Sequence, residues 1–295
     1  MLAMDANFNV AKLREICEMP DAAFGNLPGL VKLGDKEKER HYFQDRGGTV
    51  LGIAHVDSLQ SSGFVGVLAH PQETRIYCPR ADDRLGVYTI LNLLPLMGIR
   101  CDVLLTDFEE SGGSTAEFFQ PTKQYNWMFQ FDRTGDDVAL YEYGNESLKD
   151  KLRVGGFTDT SRGSSTDICE MYDLGIKGFN VGCGYHDYHS TWAYIKYEEY
   201  FHNVVKFVNF YRIFKDQKLV HKPTKVQSFG NHYPYMGCHG YNHSITQQEN
   251  YNPGVYKSFF GGMMERRLDE PVWKCFNCQS VLKTDFDDFP GAMEL

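Results

Sequence analysis

Apolar and polar positions change period repeatedly along the first 215 residues, and each change marks an element. Phe8, Val10, Leu13, Ile16 and Cys17 fall at helical spacing and stop at Met19-Pro20, which predicts a helix over 8–18. Residues 42–45 and 49–54 read as strands around a Gly47-Gly48 turn, the second delivering His55 at its C-terminal end. Residues 64–70 and 73–78 predict a hairpin turned at Pro71-Gln72. Over 84–94, Val87, Ile90, Leu91 and Leu94 line one face of a helix, with Pro95 near its end. An apolar strand at 101–106 is followed by Glu109-Glu110, and residues 114–119 begin another helix. Strands at 125–131 and 177–183 come next, with Asp132 just past the first and His186 and His189 in the loop beyond the second. A helix over 198–215, with Val204, Val205, Val208 and Tyr211 inward, closes this part. The alternation predicts an α/β fold, and the acidic and histidine segments fall just after strand ends, where open α/β sheets place their ligand sites.

After residue 218 the pattern changes. Residues 218–253 are rich in His, Asn, Gln, Tyr and Gly without apolar periodicity, so a boundary is set there: a domain over 1–218 and an irregular, partly disordered extension over 219–295. The hydrophobic fraction of 42% suits a chain that buries a large core. A net charge of -9 with 39 acidic residues excludes a phosphate-tracking nucleic-acid binder as the leading class. Eight scattered cysteines form no disulfide framework, which points to a reducing, cytoplasmic setting. No apolar run approaches the roughly 20 residues needed to span a bilayer, and the polar start of the chain shows no secretory leader.

Five segments carry the chemistry: His55-Val56-Asp57, Asp82-Asp83, Glu109-Glu110, Asp132, and the run Gly184-Tyr185-His186-Asp187-Tyr188-His189. Carboxylate and imidazole are donors that Zn²⁺ accepts. In a strand, a spacing of two puts His55 and Asp57 on one face, where Asp57 could take the second ring N–H and fix the imidazole tautomer. Asp82-Asp83 precedes a helix, where carboxylates also serve as N-caps. Two adjacent glutamates after a buried strand repel one another unless a cation or proton intervenes.

As an ordered set, these segments resemble the co-catalytic di-zinc exopeptidases, the superfamily of aminopeptidases, peptidase T and related deacylases. The resemblance rests on Ala54-His55-Val56-Asp57, Ala81-Asp82-Asp83-Arg84-Leu85-Gly86, Asp107-Phe108-Glu109-Glu110-Ser111-Gly112, Phe131-Asp132 and Tyr188-His189-Ser190, and spans roughly residues 10–215. It implies a three-layer αβα sandwich around a mostly parallel mixed sheet. It also implies two Zn²⁺ ions, with Co²⁺ or Mn²⁺ also fitting such donors. Asp82 would bridge both metals, with a cis peptide to Asp83; His55 and Asp132 would complete one site, Glu110 and His189 the other. Glu109 would be the general base and Asp57 the group orienting His55. His186 and Asp83 are the candidates for contact with substrate, and His186 competes with His189 for the last ligand position. The 57 positions from Asp132 to His189 (189 − 132) leave no room for the dimerisation domain of peptidase T-like members. The 27 from His55 to Asp82 (82 − 55) leave none for an inserted β domain, so the layout is that of the undecorated aminopeptidase core. Trp192-Ala193-Tyr194 stands where an acidic residue usually follows the last histidine, which leaves the substrate preference open.

The expected activity is hydrolysis of an amide or peptide bond, most simply by an aminopeptidase, with an N-acyl amino acid deacylase as the alternative within the same chemistry. A non-catalytic metal-binding scaffold is the alternative outside it. In the extension, Cys275-Phe276-Asn277-Cys278 supplies half of a tetrahedral zinc site, and Cys238 with His239 or His243 could supply the other half. A reduced, unliganded pair is the competing reading. Oligomeric state is not set by any of these features.

Overall fold

The computed structural model describes residues 8–69 and 73–222 in full, and beyond them the backbone of five strands. The chain divides into two compact units, Met1–Thr224 and Lys225–Leu295. The first contains β1 (Val31–Leu33), β2 (His41–Gln44), β3 (Val50–His55), β4 (Gly66–Ala69), β5 (Thr74–Tyr77), β6 (Asp102–Thr106), β7 (Trp127–Thr134), β8 (Val138–Ala139), β9 (Thr160–Ser161), β10 (Gly178–His186) and β11 (Tyr194–Lys196). Its helices are α1 (Val10–Glu18), α2 (Ala81–Tyr88), α3 (Leu94–Leu96), α4 (Glu146–Gly155) and α5 (Tyr197–Phe214).

These strands form one mixed sheet in the order β1-β2-β6-β3-β7-β10-β11-β5-β4, with β8 paired to β10 and β9 to β8. Strands β6, β3, β7 and β10 are parallel, and both margins are antiparallel. The sheet is therefore mixed, as expected, with its parallel pairings at the centre. However, β2 and β3 do not form a hairpin around Gly47-Gly48, because β6 lies between them. The buried Asp102 carboxylate explains the detour: its Oδ1 accepts the backbone N–H groups of Arg46 and Gly48, drawing this segment across the start of β6. A Cβ on Gly48 would sit 2.8 Å from the backbone of Cys101 and Asp102, so only glycine permits the crossing.

Alternation along β7 sorts its side chains onto two faces. Trp127, Phe129 and Phe131 pack against Phe207 and Phe210 of α5, with ring centroids 4.3–6.1 Å apart. Helices α1 and α2 pack together, and Thr89, just past the end of α2, meets Tyr200 of α5 through their hydroxyls, 2.6 Å apart. The sheet's other face is covered by 3-10 turns at Thr115–Phe118 and Asp167–Leu174. The helix expected over 114–119 is thus a single 3-10 turn, capped by Ser114, and Pro121 bars its continuation. Helix α2 begins at Ala81, three residues earlier than expected, and runs through a π-helical turn at Thr89–Leu93 into α3. There Pro95 has no N–H to give and the Arg46 guanidinium takes the Ile90 carbonyl.

Residues 219–222 belong to the first unit, not to the extension. Leu219 N–H donates to Asn126, Leu219 C=O accepts from Lys177, and His221 N–H donates to Gly175. In the second unit, short strands β12 (Ile245–Gln247), β13 (Val255–Ser258), β14 (Met263–Arg266), β15 (Val272–Cys275) and β16 (Val281–Lys283) form an antiparallel meander where an irregular segment was expected. Strands of three or four residues are too brief for alternation to stand out in the sequence. Among the described residues, no helix is long and apolar enough to cross a membrane.

Trp127 is fully buried among five aromatic rings, and no ligand donor touches it. Trp127→Ala should therefore destabilise the first unit by about 3–5 kcal/mol, read as a shifted denaturation midpoint by circular dichroism. A loss below about 1 kcal/mol would contradict this packing.

Candidate metal centre

The central parallel strands bring polar side chains to one face at their carboxyl ends. His55 on β3 lies directly beside Thr106 on β6, and Ile53 beside Gln130 on β7, so His55, Thr106, Gln130 and Asp132 share the face opposite the aromatic layer. Asp82 enters from the start of α2, where its φ of -85° and ψ of 111° depart from the helix and its peptide bond to Asp83 is cis. Glu109 and Glu110 form a 3-10 turn after β6, and His189 sits in the loop joining β10 to β11.

Asp82 is the shared element. Its Oδ1 lies 3.2 Å from His55 Nε2, and its Oδ2 lies 3.1 Å from His189 Nε2. Asp132 Oδ1 is 3.8 Å from His55 Nε2, and Glu110 Oε2 is 3.3 Å from His189 Nε2. Two donor sets result, His55–Asp82–Asp132 and Asp82–Glu110–His189, each with ligand atoms within 4.8 Å of one another. Glu109 Oε2 stands 3.9 Å from His55 Nε2 and belongs to neither set. Glu110 Oε1 is buried and has no hydrogen-bond partner among the described residues. No lysine or arginine among them pairs with Asp82, Glu109, Glu110 or Asp132. A buried acceptor without a donor, inside a cluster of carboxylates and imidazoles, fits divalent cations bound through N and O atoms.

The loops are held by side chains rather than by regular structure. Asp57 lies beside His55 Nδ1 (3.3 Å) and accepts the backbone N–H groups of Glu109 (3.3 Å) and Glu110 (3.0 Å), tying two ligand segments together. The Asp57 carbonyl is also 3.1 Å from His55 Nδ1. Phe108, just before the glutamates, adopts a left-handed φ of 68°, and Arg40 grips the neighbouring Asp107 carboxylate. In the last loop, Asp187 (φ 50°) and His189 (φ 59°) are also left-handed. Ser190 bridges the Asp187 carbonyl and the Trp192 N–H there, and the Gln60 amide donates to the His189 carbonyl at 3.0 Å. Such conformations persist only where the surroundings impose them.

Electrostatics follow from crowding. Burial pushes the Glu109 carboxyl up to about 8, helped by Asp167, Asp82 and Glu110 and opposed by His55. Burial and Asp82 raise Glu110, and burial with Asp82 and Asp83 holds Asp132 well above the carboxylate range. Burial would lower His55, but hydrogen bonds to Asp132, Asp57 and Asp82 hold it well above an ordinary histidine. The hydrogen bond to Asp82 raises His189. Asp82 itself, despite burial, is held far below its usual value by the two imidazoles.

The remaining candidates lie elsewhere. His186 is 3.0 Å from Glu199 and stacks on Tyr194, outside both donor sets. Asp83 is fully buried: its Oδ1 accepts the Gly86 N–H and the Tyr185 hydroxyl, so it faces the core rather than an open pocket. A Cβ on Gly86 would fall 2.1 Å from that oxygen, which explains the glycine. Cys238, His243 and Cys278 and the side chain of Cys275 lie outside the described residues, and the zinc reading for them stands on the sequence alone. Sequence reasoning missed Gln130, Thr166, Asp167 and Asn180. Asn180 brackets Asp132, accepting its N–H and donating to its C=O, both at 2.8 Å. Gln130 was legible only as one polar residue inside an apolar strand.

No protein-family profile and no curated protein sequence matches the chain. Its structure is similar to that of a tripeptidase from Staphylococcus aureus subsp. aureus Mu50, at a TM-score of 0.54 and 11% identity, over 72% of this chain and 100% of that one. It is also similar to aminopeptidase PepT from Bacillus cereus ATCC 10987, at a TM-score of 0.51 and 12% identity, over 68% of this chain and 96% of that one. At such identities the likeness establishes the fold alone: an α/β fold with a mixed sheet, shared with these two structures, as the resemblance in the sequence implied.

Because hydrogen bonds to carboxylates raise the pKa values of His55 and His189, these imidazoles hold protons that a bound cation must displace. Cation affinity should therefore weaken as pH falls. Calorimetric titration in two buffers of different ionisation enthalpy should show net proton release near pH 7, and heats independent of buffer would contradict this.

Proposed function

We propose that this chain is a metal-dependent hydrolase of amide or peptide bonds, acting as an aminopeptidase. Two divalent cations would be held by His55, Asp82 and Asp132 and by Asp82, Glu110 and His189. The observation that carries the reading is Asp82, with one carboxylate oxygen turned to each imidazole. The N and O donors suit Zn²⁺, and Co²⁺ or Mn²⁺ also. Bound there, such a pair lowers the pKa of water and polarises a carbonyl.

The protein's own groups do the rest. Asp57 beside Nδ1 fixes the His55 tautomer, leaving Nε2 as a donor. Glu109, outside both donor sets yet 3.9 Å from His55 Nε2, is placed to take a proton from the attacking water, since cations bound beside it would favour its ionised form. It can hold that proton until the amine departs, the division of labour expected of a general base that becomes a general acid. The likeness in fold to a tripeptidase and an aminopeptidase supports a peptide substrate. An N-acyl amino acid would meet the same atoms, so the deacylase reading differs only in substrate. The five described cysteines are free thiols, which supports a cytoplasmic setting.

Glu109→Gln should retain both cations and lose about 10²–10⁴-fold in turnover. The test is a panel of aminoacyl amides and N-acyl amino acids, run with and without chelator on wild type and variant. Wild-type turnover by Glu109→Gln would overturn the assignment, and cleavage confined to N-acyl amino acids would replace the aminopeptidase by the deacylase. Activity unaffected by chelator would remove the metal-dependent reading altogether.

A further inference from the structure

Asp167 is a buried acid that belongs to neither donor set. It opens the 3-10 segment Asp167–Leu174, after Ser164-Ser165-Thr166, and its side chain is fully buried with no lysine or arginine paired to it among the described residues. A buried carboxylate is costly unless hydrogen bonds satisfy it. Here they do: Oδ1 accepts the hydroxyls of Thr106 (2.8 Å) and Ser114, and Oδ2 accepts an N–H of the Gln130 amide (2.7 Å).

Gln130 is itself fully committed. Its Nε2 also lies 3.2 Å from Asp132 Oδ2, so its two amide hydrogens serve one carboxylate each. Its Oε1 accepts the Thr166 hydroxyl at 2.9 Å, and that hydroxyl oxygen is 3.2 Å from Asp132 Oδ2. Turning the amide over would set its carbonyl oxygen against both carboxylates. Asp132 thus has Oδ2 occupied by protein donors, while Oδ1 lies on the side of His55.

We propose that Asp167 is a positioning residue for the metal centre: its buried carboxylate sets the direction of the Gln130 amide, and Gln130 with Thr166 pins Asp132 so that Oδ1 serves the set shared with His55 and Asp82. This rests on the two-cation reading above. Asp132 belongs to one donor set only, so the consequence is asymmetric. In Asp167→Asn, the new amide would offer a donor to Gln130, favouring the turned-over amide and placing a carbonyl oxygen against Asp132.

The test is titration of the full-length apo protein with Co²⁺, followed by visible absorption, for wild type, Asp132→Ala, Asp167→Asn and Thr166→Val. The binding step lost in Asp132→Ala identifies the His55 set. Asp167→Asn should weaken that step roughly 10–100-fold, as loss of an orienting partner does, and leave the other step as in wild type. Thr166→Val, which spares the buried carboxylate and its three partners, should shift the same step by less and carries the test if Asp167→Asn does not fold. Unchanged binding in both variants, or equal weakening of both steps, would overturn the proposal. If wild type shows neither step, the two-cation reading fails with it, which separates that outcome from failure of Asp167 alone.

Discussion

Asp82 stands between two imidazoles while Glu109, Glu110 and Asp132 crowd the same small volume. Two like charges 4 Å apart repel by about 4 kcal/mol at an effective dielectric of 20, and apart from the two imidazoles no lysine or arginine among the described residues pairs with this group. The folded chain therefore has two ways to keep these acids together: bind protons, which the raised values of Glu109, Glu110 and Asp132 express, or bind cations. The second satisfies the orphaned Glu110 oxygen as well. The remainder of the first unit can be understood as the scaffold that holds this excess of negative charge in place.

That scaffold works through two devices. Parallel strands β3, β6 and β7 end side by side, so alternation alone sends His55, Thr106 and Asp132 to one face while the opposite face is filled with aromatic rings around Trp127. Loops then contribute what strands cannot. Asp57 gathers the glutamate turn onto His55, Arg40 anchors that turn through Asp107, and the left-handed residues at 108, 187 and 189 bend the chain back toward Asp82. Behind these, Asp167 and Gln130 form a polar layer within an otherwise apolar interior, where fully satisfied networks are rigid and half-satisfied ones are costly.

Much of this was legible in the chain. His55 and Asp132 lie on, and Glu109 just after, short apolar runs that end in or are followed by acid or histidine, a pattern that needs no partner to be read. The ordered acidic segments gave the candidate ligands, and the geometry gathers His55, Asp82, Glu110, Asp132 and His189 while leaving His186 on Glu199. What was not legible depends on contacts far apart in sequence. The displacement of β2 from β3 follows from Asp102 reaching back to Arg46 and Gly48. Helix α4 offers only Leu148 and Leu152 to the core and passes as a polar stretch, although Asn145 caps it and Gly156 ends it. Asp83, although adjacent to Asp82 in the sequence, is turned inward by the Gly86 N–H. Asp167 has no local signal at all, since its role depends on Gln130, 37 positions away.

The most direct measurement of the central claim is the number of divalent cations retained by the full-length chain, by elemental analysis after equilibrium dialysis, for wild type and Asp82→Ala. Removing the one carboxylate common to both donor sets should cost two equivalents per chain, whatever the second unit binds. A variant that retained as many cations as wild type, or lost only one, would contradict a centre bridged by Asp82.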